Sequence, residues 1–180
     1  SRRQRQMCIR DRNISIKGSI APLIELGAGF DGNLTARENI FLNGCLLGHS
    51  QKYMEEHFNE IVDFAELWDF LDSPIKNYSS GMRARLGFAI ATMVKPDIFI
   101  VDEVLAVGDY KFRMKCEKRM EDMLKGGTTL LFVSHSIDEV KRLCDHALWL
   151  NKGKLIQMGE VNEVCEAYME GIGAVQKEDK

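Results

Sequence analysis

Proline is scarce, at 3 of 180 residues, which excludes collagen-like and proline-rich linker chains. No run approaches the roughly 20 apolar residues that a membrane-spanning helix needs. The most apolar stretches, TTLLFVSHS and DIFIVDEVLAV, are soon broken by polar or charged groups. Contact with a membrane is therefore expected only through a partner. Paired cysteines are also lacking: Cys8, Cys45, Cys116, Cys144 and Cys165 are odd in number and far apart, without the spacing of a zinc site or a redox motif. They are expected to be reduced thiols that mostly fill small core positions. Charge of one sign is not in excess either, the net being -3. What is present, 45% hydrophobic and 28% charged residues, suits one globular domain with a sizeable core.

The first twelve residues, SRRQRQMCIRDR, stand apart. Five arginines face a single aspartate, with no hydrophobic periodicity. A basic arm of this kind can bind nucleic acid or an acidic surface, but the acidic remainder offers no aromatic and basic interleaving to continue it, so no nucleic-acid partner is expected. The string resembles translated sequencing-adapter sequence and is expected to be non-native, leaving 13–170 as the domain and 171–180 as a frayed tail.

Secondary-structure signals alternate along the domain. SIAPLIEL is a strand candidate, followed by a loop with Gly27, Gly29 and Gly32. Thr35 and Glu38 have capping-box spacing, which predicts a helix through Ile40, Phe41 and Leu46 that ends at Gly48. In residues 51–70 the apolar set Met54, Phe58, Ile61, Ala65 and Trp68 recurs at helical spacing. Residues 79–94 predict a further helix with Met82, Leu86, Ala89 and Met93 on one side, stopped before Pro96. IFIV and TTLLFV are short apolar runs that predict strands buried on both faces, as in a parallel sheet. Between them Phe112, Cys116, Met120 and Leu124 mark a helix, and after them Ser136 and Glu139 predict a capped one. HALWL and KLIQM, joined through Asn151-Lys152-Gly153, predict a hairpin, and a last helix is expected over about 160–170. Trp68 and Trp149 lie in apolar periodic segments and are expected in the core or at an interface. Strands alternating with helices imply an α/β fold around a mostly parallel sheet, with ligands beyond the carboxyl ends of the strands.

Two groups, Asp102-Glu103 and Ser134-His135, fall there, and a third at a helix start joins them as a carrier of chemistry. Asp102 and Glu103 leave the IFIV strand side by side, and a strand's period of two points them in different directions. One carboxylate can hold Mg²⁺ on nucleotide phosphates while the other accepts a proton from water; by itself, the pair is as well explained as a polar strand end. Ser79-Ser80-Gly81 at a helix start offers unpaired N–H groups, hydroxyls and close backbone approach to a phosphate, although alone it is an ordinary cap. His135 follows the second strand and could donate to a phosphate oxygen or hold a water.

Their order carries a resemblance. NYSSGM, IFIVDE, AVGD and FVSHS resemble, in sequence, the signature motif, Walker B strand, D-loop and switch-histidine loop of ATP-binding cassette (ABC) ATPases, and the likeness covers about 16–170. ELGAGFDGNLTARENI and DEVLAVGD are similar to the branch that powers export of O-antigen, capsule or teichoic acid. The resemblance implies a P-loop NTPase-like α/β domain with a helical subdomain at about 35–95, ATP and Mg²⁺ as cofactors, and ATP hydrolysis. It also implies a head-to-tail partnership with a second copy, a separate transmembrane permease subunit, and a peripheral place on the cytoplasmic face of a bacterial plasma membrane. By the same resemblance Asp102 positions Mg²⁺ through water, Glu103 activates water and His135 senses the γ-phosphate. Glu25 stands in the loop that couples nucleotide and metal to the membrane subunit, and Asp109 lies on the dimer interface. Ser79, Ser80, Gly81 and Met82 touch the nucleotide held by the opposite copy.

One departure accompanies these matches. No G-x-x-x-x-G-K-S/T occurs in the 180 residues, and that motif supplies the N–H nest and lysine on the phosphates. The chain is therefore expected to be N-terminally truncated and inactive by itself. An ATPase of another transporter, a non-transport ABC protein and a non-enzymatic interaction module stand as alternatives.

Overall fold

A computed structural model describes residues 15–23, 27, 29–93, 96–102 and 108–178. Three short strands form a parallel sheet in the order β1 (Ile20–Leu23), β2 (Ile98–Asp102), β3 (Thr129–Val133). Parallel neighbours need long crossovers. The first runs through helices α1 (Ala36–Leu46), α2 (Gln51–Ala65) and α3 (Ser80–Ala91), and the second through α4 (Tyr110–Lys125). Helix α5 (Ile137–Leu143), an antiparallel hairpin of β4 (His146–Asn151) and β5 (Lys154–Glu160), and α6 (Val161–Glu178) complete the chain. Register at the start of the sheet is pinned by Ser19, whose N–H and Oγ both donate to Asp97 Oδ2, at 2.7 and 2.8 Å. Gly18 is required there: its φ is +111°, and a Cβ would lie 2.7 Å from Asp97.

The helices divide the interior in two. Ile40, Met54, Phe58, Ile61, Val62, Leu86 and Ala89 form a core among α1, α2 and α3. A second core joins the sheet to α3 and α4 through Leu23, Phe88, Phe99, Val101, Phe112, Cys116 and Met120. Phe64 packs against both, stacked on Phe88 at 5.9 Å and edge-on to Phe112 at 5.6 Å. Helix α3 thus buries two faces. The one-sided stripe expected for it omitted Phe88, which serves the sheet.

Several expectations need correction. Trp68 does not continue the α2 stripe. Glu66 takes the left-handed conformation (φ 59°) and ends the helix, and Trp68 falls in a 3₁₀ turn, 48% exposed, its indole N–H donating to Asp63 at 2.6 Å. Trp149 is half-buried outside both cores, packing edge-on to Tyr168 at 5.6 Å. IFIV buries Phe99 and Val101, but its Ile98 and Ile100 face is only half covered. TTLLFV is further from the expectation, with Leu131 54% and Val133 60% exposed. β3 is an edge strand among the described residues, and α4 covers only its Leu130 and Phe132 side. The Ser136 hydroxyl makes no cap bond; Ser134 takes that place, accepting from the Ser136 N–H at 3.0 Å and donating to Glu139 Oε2 at 3.4 Å. The last helix runs on to Glu178, past the bound of about 170 expected for it. The capping box at Thr35 and Glu38 forms in full. The hairpin turn has φ of 47° at Lys152 and 77° at Gly153, the paired left-handed geometry that matches strand twist.

Candidate functional site

Register decides where Asp102 and His135 stand. Asp102, the last residue of β2, lies alongside Val133, the last of β3. Parallel strands end on the same side, so the Asp102 carboxylate and the turn carrying Ser134 and His135 share one end of the sheet. Asp102 is exposed, and no described side chain pairs with it. The two Ser134 hydrogen bonds fold that turn into the start of α5 and present His135 at its tip. His135 is exposed and lines a cleft of about 610 Å³ with Ser136, Lys141, Glu166 and Met169. Glu103, next in sequence to Asp102, and Glu25 lie outside the described residues.

Ser79 caps α3, its Oγ accepting from the Met82 N–H at 3.2 Å. The N–H groups of Ser80 and Gly81 are left without helical partners, as in any first turn. Both serines are exposed. Among the described residues a Cβ on Gly81 would meet only Ser79 Oγ, at an unstrained 3.8 Å. Packing among them therefore does not require glycine here, which leaves open space above a helix N-terminus, suited to an anion. Among the described residues no hydrogen bond or ion pair joins Ser79–Met82 to Asp102.

Asp109 meets a residue that sequence spacing did not single out. Asp109 caps α4: Oδ1 accepts from the Phe112 N–H at 2.9 Å, and Oδ2 accepts from Arg85 Nη2 at 2.8 Å. The Phe112 N–H, then the positive charges of Arg85 and Lys111, hold this carboxyl below the usual range. Arg85, on α3, also pairs with Glu66 at 3.3 Å and lies 4.7 Å above the Phe112 ring. It fastens the helix bearing the serine cap to the N-terminal cap of α4. Nothing in its spacing marks it; only the fold brings residues 66, 85 and 109 together.

A divalent ion would need help from its ligand. Among the described residues no cluster of three His, Cys, Asp or Glu side chains could hold a metal. A lone exposed carboxylate such as Asp102 nevertheless fits Mg²⁺, which takes one or two carboxylates and completes its shell with phosphate oxygens and water.

The sequence profile described as ABC transporter matches residues 5–106. The chain belongs to the ABC transporter family. The match begins within the arginine-rich stretch, which itself lies outside the described residues. This ABC chain is 44% identical over 160 residues to the O-antigen export system ATP-binding protein RfbB of Klebsiella pneumoniae, covering 89% of this chain and 65% of that protein. It is 43% identical over 157 residues to the teichoic acids export ATP-binding protein TagH of Bacillus anthracis, covering 87% of this chain and 28% of the relative. The chain thus spans less than two thirds of the length of these relatives. A solved ATP-binding subunit of an ABC transporter superposes with a TM-score of 0.71 at 21% identity, over 83% of this chain and 62% of that one. A cassette solved as a dimer with ADP and Pi gives 0.63 at 21%, over 79% and 63%. At such identities the likeness establishes the fold, and the expected ABC ATPase fold, a parallel sheet flanked by helices, is the one observed. Among the described residues no helix is long and apolar enough to cross a membrane.

Proposed function

We propose that this chain is part of the ATP-hydrolysing subunit of an exporter of polysaccharide, of the O-antigen, capsule or teichoic acid type, which energises a separate transmembrane subunit from the cytoplasmic face of a bacterial membrane. The observation that carries the reading is the shared sheet end of Asp102 and His135 in a chain 44% identical to an O-antigen export ATP-binding protein. Asp102 would hold Mg²⁺, which would supply positive charge to offset that on a transferring phosphoryl group. Glu103 accepts the proton of the attacking water, and His135 donates to the γ-phosphate. Ser79, Ser80, Gly81 and Met82 receive the nucleotide bound to a second, head-to-tail copy, with Asp109 near the same interface and Glu25 in the loop toward Mg²⁺ and the membrane partner. The 180 residues alone do not retain ATP, because none of them forms a phosphate-loop motif.

The subunit expressed from its whole reading frame should hydrolyse ATP only with Mg²⁺. Glu103→Gln should lower turnover by roughly 10²–10⁴, the usual worth of a general base, while ATP-bound dimers persist. Unchanged turnover removes Glu103 from its role. Micromolar ATP affinity of the 180-residue chain in calorimetry would show that a phosphate cradle exists without the motif.

A further inference from the structure

We propose that Asn39 is a positioning residue for the nucleotide cap at Ser79–Met82, acting through the loop before α1 and the segment 75–78; the proposal rests on the function given above. Asn39 is fully buried, on a helix face that Ala36 and Ile40 give to the core. A buried amide is tolerated only when its hydrogen bonds are made. Here all are made to one irregular loop. Asn39 Oδ1 accepts from the Asp31 N–H at 2.8 Å, and Nδ2 donates to the carbonyls of Asp31, Leu34 and Thr35 at 3.0, 3.2 and 2.9 Å. Asn43, one turn on and also buried, donates to the carbonyls of Asn39 at 3.1 Å and Gly29 at 3.5 Å.

The far side of that loop is a seat for another segment. Leu34 O accepts from the Ile75 N–H at 3.0 Å and Gly32 O from the Lys76 N–H at 2.9 Å, and Thr35 forms a bridge with Pro74. Ile75 O in turn accepts from the Tyr78 N–H at 2.9 Å. Tyr78 O accepts from Arg83 Nε and Nη2 at 3.3 and 3.1 Å, and Ser79, the next residue, caps α3. An unbroken series of hydrogen bonds therefore leads from one buried amide to the serine cap. An apolar side chain at position 39 would fill the volume but orphan the Asp31 N–H and leave the loop free to shift under residues 75–78.

The test uses the subunit expressed from its whole reading frame, with Glu103→Gln to preserve ATP-bound dimers. Asn39→Ala removes the whole set of bonds. Asn39→Asp keeps the acceptor for Asp31 and turns a carboxylate oxygen toward three carbonyls. Both should weaken ATP-dependent dimerisation, measured by sedimentation, about tenfold or more, since small displacements of contacting groups are costly. ATP affinity of the monomer should not change, and amide exchange at Ile75, Lys76 and Tyr78 should quicken. Ile61→Val, which thins the same core without touching the loop, should lower the thermal midpoint and leave dimerisation alone. Should Asn39→Ala fail to fold, Asn39→Asp and Asn43→Ala decide. Folded Asn39 variants that dimerise normally, or an Ile61→Val variant that dimerises as poorly, overturn the proposal. Failure of the wider functional reading is seen separately, as no ATP-dependent dimer before any change at Asn39.

Discussion

Tyr78 and Asp109 set opposite ends of the pH range. Tyr78 is buried, its hydroxyl donating to Phe70 O at 2.6 Å, and burial, then the charge of Asp72, push its pKa up to about 12. A folded pKa above the unfolded one gives stabilisation that is complete below the unfolded tyrosine value of about 10 and lost as pH rises through about 12. Tyr78→Phe should cost about 1 kcal/mol at neutral pH for the lost hydrogen bond and flatten that alkaline loss, as followed by urea midpoints against pH. Asp109 has the reverse sign. Its lowered pKa gives stabilisation present above the usual carboxylate range and lost as pH falls through the folded value. Asp109→Asn keeps an acceptor for the Phe112 N–H but carries no charge, so its stability should fall less steeply in acid. At this scale Asp102 and His135 were legible as candidates because one ends a recognisable strand and the other stands just past the end of one. Arg85 and Asn39 were not, because their partners lie 19 to 24 residues away, at Glu66 and Asp109, or in a loop whose path only the fold defines.

Among the elements, α1 shows how local signals succeed and where they stop. Its capping box was legible because Thr35 and Glu38 satisfy each other within one turn. Its packing was not, since nothing near Gly44 announces Met54. A Cβ at Gly44 would run into the Met54 side chain, which is fully buried and has little room to yield. Gly44→Ala, which in an exposed helix would stabilise by up to about 1 kcal/mol, should here destabilise by about 1–3 kcal/mol through overpacking, and thermal unfolding gives the sign directly. Helix α3 makes a related point. Helical spacing found the side that faces α1 and α2, while Phe88 on the opposite side answers to a sheet assembled from strands far apart in sequence. The α2 stripe overran for a third reason: Trp68 keeps helical spacing, but the backbone reverses at Glu66, whose carboxylate is held by Arg85 and Lys115.

For the molecule as a whole, the apolar surface left open is the dominant feature. Leu131 and Val133 on β3, and Leu148, Leu150, Leu155, Ile156 and Met158 on the hairpin, are all exposed. Leu148 pairs with Met158 and Leu150 with Leu155, so these hairpin residues share a face, while Trp149 on the other face packs against α6. Exposed apolar area of this kind drives association, and β3 also offers an edge with unpaired backbone groups among the described residues. The 180-residue chain should therefore self-associate and bind an apolar dye in solution. Replacing Leu148 and Met158 together by Thr should reduce both, read by light scattering and dye fluorescence. A monodisperse chain that leaves the dye dark would mean that this face is covered.

The sequence by itself determined the strand and helix alternation, the capping box and the hairpin turn, and singled out the residues proposed for phosphate chemistry, because each of these rests on neighbours within a turn or a strand. Only the tertiary structure decided which of those residues meet. Asp102 and His135 share a sheet end because β2 and β3 are parallel and in that register, whereas the serine cap reaches the Asp109 turn through Arg85 and rests on a loop held by Asn39. Contacts of that kind join segments brought together by burial of two cores, and burial depends on the whole chain rather than on any stretch of it.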